Sequence, residues 1–155
     1  MPEALFYHLT AQSLERALPD LLSRTLDRGW RAVVRCSSDE RLAALNTLLW
    51  TFRDESFLPH GTKNDPHPER QPVYLTTGVE TPNAPQVLFL VDMADAEDFA
   101  AFERTAILFA DADEEAKSFA REQWMRASAK VDSVYWKQGP DGRWSKELEK
   151  NASAP

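Results

Sequence analysis

The residues best equipped for chemistry lie on one segment late in the chain. Lys117, Arg121, Trp124 and Ser128 recur there at i, i+4, i+7 and i+11, while Ala116, Phe119, Ala120 and Ala127 supply the apolar side of the same helical period. A planar guanidinium beside an indole suits a ligand that joins a carboxylate to an apolar group. Cations in the last turns of a helix also suit its dipole, so a solvated face accounts for the same spacing. Spacing alone leaves both readings standing.

Other constellations reduce to simpler chemistry. His8, His60 and His67, with Asp65 beside the last two, lack the close cysteines or helical histidine pair of a metal site, and an ordinary loop explains them better. Cys36 ends an apolar run, where a buried, inert thiol is expected rather than a nucleophile. There is no Gly-x-Ser-x-Gly elbow, and the five glycines are not placed to form a phosphate-cradling loop, so no cofactor is expected. Asp111, Asp113, Glu114 and Glu115 have the look of an acid–base or Mg²⁺ cluster, but they stand where a helix dipole favours negative charge. A second aromatic group, Leu49-Trp50-Thr51-Phe52 and Ser56-Phe57-Leu58-Pro59, falls where a helix meets a loop. It reads equally as a core plug or as a partner-binding patch.

These residues need elements to hold them. Ala4 to Leu9 suits a buried strand, followed by a helix on Leu14, Leu18, Leu21, Leu22 and Leu26 that Gly29 caps. Pro19 is comfortable there only if it opens the main helix. Arg31 to Cys36 is a second strand, and Ser37 with Glu40 predicts a capping box before the helix of Leu42, Leu45, Leu48, Leu49 and Phe52. Residues 59–72, with four prolines, predict one long exposed loop. Strands are expected at Val73 to Thr77, Gln86 to Val91 (buried on both faces) and Thr105 to Ala110, a short helix at Asp98 to Glu103, and a strong helix at Asp113 to Ser128. Lys130 to Gln138 and Arg143 to Lys146, joined through Gly139-Pro140-Asp141-Gly142, predict a terminal β-hairpin. Strands alternating with helices predict an α/β fold with a mostly parallel sheet flanked by helices.

The 155 residues suit one domain, taken as 1–147, with 148–155 fraying as a tail. Twenty-five acidic against eighteen basic side chains leave a net charge of −7, so an anionic partner must be met by a local basic patch. No stretch approaches the roughly 20 apolar residues of a membrane span. The opening MPEALFYHL lacks a signal pattern and one cysteine cannot form an internal disulfide, so a reducing cytoplasm and no membrane partner are expected.

Phe6-Tyr7-His8-Leu9, then Leu48-Leu49-Trp50 followed by Glu55-Ser56-Phe57-Leu58-Pro59-His60, then Ala116-Lys117-Ser118-Phe119-Ala120-Arg121 and the late Trp136-Lys137 together resemble the chi subunit of bacterial DNA polymerase III over residues 3 to 147. That resemblance implies a Rossmann-like fold without its glycine loop and a non-catalytic role. It implies a link between the clamp loader and single-stranded-DNA-binding protein, made by gripping that protein's acidic C-terminal tail, with DNA contacted mainly indirectly. The family's tail-binding lysine and arginine fall on Lys117 and Arg121, its aromatic on Trp124, and its Trp-Lys pair on Trp136 and Lys137. Ser133 takes the place of a hydroxyl residue. Met125 stands where the family has a further basic residue, with Arg126 adjacent as its substitute. Trp50 and Phe57 correspond to the surface that binds the psi subunit or a helicase partner. The residues themselves also admit a direct single-stranded DNA binder and a nucleotide-dependent enzyme.

Overall fold

The structure, a computed structural model, describes residues 1–51 and 58–152. The chain runs β1 (Glu3–Leu9), α1 (Leu14–Asp27), β2 (Ala32–Arg35), α2 (Asp39–Thr51), a 3₁₀ turn (Pro68–Arg70), β3 (Val73–Thr76), β4 (Val87–Leu90), β5 (Arg104–Ala110), α3 (Glu114–Ser128), β6 (Asp132–Gln138) and β7 (Trp144–Lys150). Among the described residues one sheet results, in the order β3-β2-β4-β5-β1-β6-β7. Every pairing is parallel except the terminal β6–β7 hairpin. The expected mostly parallel α/β architecture is the one formed. No helix among the described residues is long and apolar enough to cross a membrane.

Strand alternation divides the core in two. Ala32, Val34, Val87, Phe89, Ala106 and Leu108 face one way and bury Leu18 and Leu22 of α1 with Leu45 and Leu49 of α2. Val33, Leu88, Leu90, Ala4, Phe6 and Ile107 face the other way, beneath Ala116, Ala120 and Ala127 of α3. Val87–Leu90 is buried at all four positions, as its continuous apolar run predicts.

Local chemistry sets the ends of the elements. Gly29 adopts φ +81°, where its N–H reaches Leu26 O and the Trp30 N–H reaches Thr25 O, a left-handed stop for α1. Gly142 at φ +83° closes the β6–β7 turn in the same way. Pro19 does not open α1, because the helix starts five residues earlier at Leu14. Buried Leu18 and Leu22 hold that helix on the sheet and offset the missing backbone bond. The capping box on Ser37 does not form, since the Ser38 hydroxyl takes the Arg41 N–H instead.

Three further expectations are corrected. Asp98 to Glu103 forms turns rather than a helix. The Asp98 carboxylate binds the Ala100 N–H and that of Asp95 binds the Ala96 N–H, local bonds that compete with a helical ladder. Residues 59–72 are not wholly exposed, for His60 and Thr62 are buried and Gly61 bridges to Tyr74 beside the β3 edge. Strand β7 continues through Lys150, paired with Ser133, so residues 148–150 belong to the sheet and not to a tail.

Candidate functional site

Asp113 starts α3 by accepting the Ala116 N–H at 3.0 Å, and the helix then lays its small residues on the sheet. Lys117, Arg121 and Trp124 follow along the flank toward β6. Trp124 is half-buried, edge-on to Phe6 of β1 at 5.3 Å and to Tyr135 of β6 at 6.0 Å. The Tyr135 hydroxyl donates to His8 Nδ1 at 2.8 Å, and His8 Nε2 donates to Asp111 Oδ1 at 2.8 Å. A neutral imidazole protonated at Nε2 satisfies both contacts, and the ring stacks on Phe109 at 4.8 Å. Lys117 Nζ completes the row, 3.5 Å from Asp111 and 3.0 Å from Glu114.

Charge is distributed unevenly over this surface. Hydrogen bonding by His8, with the nearby Lys117 charge, holds the Asp111 carboxyl below the usual carboxylate range. The same logic raises Lys117, chiefly through Glu114. Burial pushes the Tyr135 phenol up, and the positive charge of Arg121 opposes that rise. Arg121 is exposed and has no ion pair or hydrogen bond among the described residues. An open guanidinium beside an aromatic shelf can therefore hold an anion while an apolar group lies on Trp124. Lys137, opposite His8 in register and exposed, shares the Tyr135 side of β6 by alternation.

Three residues expected at this surface are employed elsewhere. Ser133 is fully buried and its hydroxyl donates to Val131 O at 3.0 Å, out of reach of any ligand. Arg126 Nη2 donates to both oxygens of Asp95, at 2.6 and 2.7 Å, and its Nη1 donates to Ala96 O, so it clamps the β4–β5 connection with Gln123 instead of replacing a basic residue at exposed Met125. Trp136 points to the opposite face of the sheet from Trp124, into a cavity with Tyr7 and Trp144, because adjacent residues of a strand alternate. Conversely, His8, Asp111 and Tyr135 belong to the site and were not anticipated. Alternation along β6 is the signal for Tyr135, which shares the side of Lys137, whereas nothing in sequence joins His8 to a carboxylate 103 residues away.

The remaining candidates are dispersed. Trp50 is 57% exposed, its ring 4.7 Å from that of His60, and Phe57 lies outside the described residues. His67 is exposed beside Glu69, and no cluster of three metal-ligating groups occurs among the described residues. Cys36 is buried, and burial raises its thiol pKa.

Fold and site together define a Rossmann-like α/β domain with a basic, aromatic patch in place of a phosphate loop. In sequence, residues 1–131 match the family described as DNA polymerase III chi subunit, HolC, and the chain belongs to that family. A relative named "Probable DNA polymerase III subunit chi", from Rickettsia prowazekii (strain Madrid E), is 30% identical over 95 residues, 61% of this chain and 58% of the relative.

Proposed function

We propose that the chain is a non-catalytic replication adaptor of the cytoplasm that links the clamp loader to single-stranded-DNA-binding protein. Its α3–β6 surface grips that protein's acidic C-terminal tail. The supporting observation is Arg121, an exposed guanidinium with no ion pair among the described residues, beside the half-buried Trp124. On a chain of net charge −7, such a cation attracts an acidic peptide only locally. Arg121 pairs with the terminal carboxylate, Trp124 and Tyr135 receive the terminal apolar side chain, and Lys117 and Lys137 flank them. Trp50, with Phe57 beside it in sequence, forms the docking surface for a psi subunit or a helicase.

Fluorescence anisotropy of a labelled tail peptide tests this reading. Arg121→Ala should weaken binding about ten- to hundredfold, the equivalent of roughly 1.5–3 kcal/mol for a charge-assisted pair. Arg121→Lys should restore part of the loss. Amidating the peptide's terminal carboxyl should mimic Arg121→Ala, and the two changes together should cost less than their sum. Equal affinity for native and amidated peptide would make the basic stripe a solvated helix face.

A further inference from the structure

The reverse face of the β6–β7 hairpin carries a second site. A cavity of about 360 Å³ opens there between α1 and the sheet, walled by Tyr7, Leu21, Arg24, Trp136, Trp144 and Lys146. It adjoins another of about 300 Å³ that shares Tyr7, Leu21, Arg24 and Arg104 and runs on to Arg28. In register Gln138 opposes Trp144 and Trp136 opposes Lys146, which sets the two indoles diagonally on one face. Trp144 meets Tyr7 edge-on at 5.2 Å, and Lys146 Nζ lies 5.8 Å from the Trp136 ring. The Tyr7 hydroxyl has no hydrogen-bond partner among the described residues, and burial raises its pKa, so it stays a neutral donor at the cavity.

The charge here runs against that of the whole chain. Arg24, Arg28, Arg104 and Lys146 line the joined cavities, and Glu3 is the lining carboxylate. Arg104 is paired with Glu3 at 2.7 Å and Lys146 with Glu149 at 2.9 Å. Arg24 and Arg28 have no ion pair among the described residues, and Arg28 lies over the Trp30 ring at 4.2 Å. Flat rings in a slot beside unpaired guanidinium groups fit a ligand that alternates planar bases with phosphates. A duplex keeps its bases stacked inside and cannot offer one to the slot. We infer that this face binds single-stranded DNA, with a base against Trp136 and Trp144 and neighbouring phosphates on Arg24 and Arg28. The inference is independent of the tail-binding surface, which lies across the sheet.

Titration of the full chain with a short labelled oligothymidylate at low salt tests it. Binding should weaken with salt at a slope of about −1.4 in log affinity against log concentration, the value for two phosphate contacts on a single strand. Trp136→Ala should weaken the oligonucleotide roughly tenfold, the scale of one lost stacking contact, and leave tail-peptide affinity unchanged. Arg24→Glu, an exposed change that spares the core, should weaken it by a similar factor. Arg121→Ala should have no effect on it. The inference is overturned if Arg24→Glu binds as well as the parent, if Arg121→Ala abolishes binding, or if the tail peptide displaces the oligonucleotide. Competition by thymidine monophosphate or duplex DNA at equal concentration would likewise overturn it, showing a free-nucleotide pocket or non-specific charge.

Discussion

Lys117 and Arg121 stand one turn apart on the same flank of α3 yet are in opposite electrostatic states. Lys117 lies within 3.5 Å of two carboxylates, those of Asp111 and Glu114, whereas Arg121 meets none among the described residues. The earlier residue falls within the acidic first turns, which the helix dipole favours, and the later one lies beyond them. The two cations of the stripe are therefore not equivalent ligands for an acidic peptide.

Glu114→Gln should consequently strengthen tail-peptide binding, by about two- to fivefold, because it frees Lys117 and removes a repelling charge at an exposed position. Anisotropy at two salt concentrations checks this, since the gain should shrink at the higher one.

Arg126→Ala should cost about 1 kcal/mol of stability, the half-exposed Asp95 pair being screened by solvent, and leave peptide affinity unchanged. Burial raises the Asp95 pKa, but hydrogen bonds from Arg126, Gln123 and the Ala96 N–H outweigh it and hold the carboxyl below the usual range. A depressed pKa contributes stability above the unfolded value of about 3.9, and that contribution is lost as pH falls through the folded value. Urea titrations should show the gap between parent and variant closing below about pH 4.

Tyr135→Phe removes the donor to His8 Nδ1 at a half-buried position and should cost about 1 kcal/mol in urea titration. Peptide affinity should fall far less than in Arg121→Ala, because the ring beside Trp124 is retained.

The Cys36 thiol, buried and shifted upward by desolvation, should react with an aromatic disulfide reagent at least about a hundredfold slower in the native chain than in urea. A fast native reaction would show that the end of β2 is open.

Trp50→Ala should leave the melting temperature within a few degrees of the parent, as expected for a side chain 57% exposed, while weakening a psi or helicase partner by about 2 kcal/mol.

The sequence determined much of this protein by itself. The continuous apolar run at Val87–Leu90 obliges that strand to be buried on both faces, the 3.6-residue spacing of Leu18 and Leu22 obliges their helix to bury one, and both signals are local. Gly29 and Gly142 were readable as stops because only their missing side chains permit positive φ cheaply. Helical geometry alone places Lys117, Arg121 and Trp124 on one face. Only the tertiary structure decided what those side chains meet. Spacing on α3 could not show that Arg126 is committed to Asp95 and Arg121 is not, because the partner comes from the β4–β5 connection. Nor could it show that Ser133 is buried, or that His8 reaches Asp111, pairings created when β1 is flanked by β5 and β6. Trp136 illustrates the division most plainly. Strand alternation turned it away from Tyr135, but the packing of α1 against the far face of the sheet decided that it would wall a cavity there.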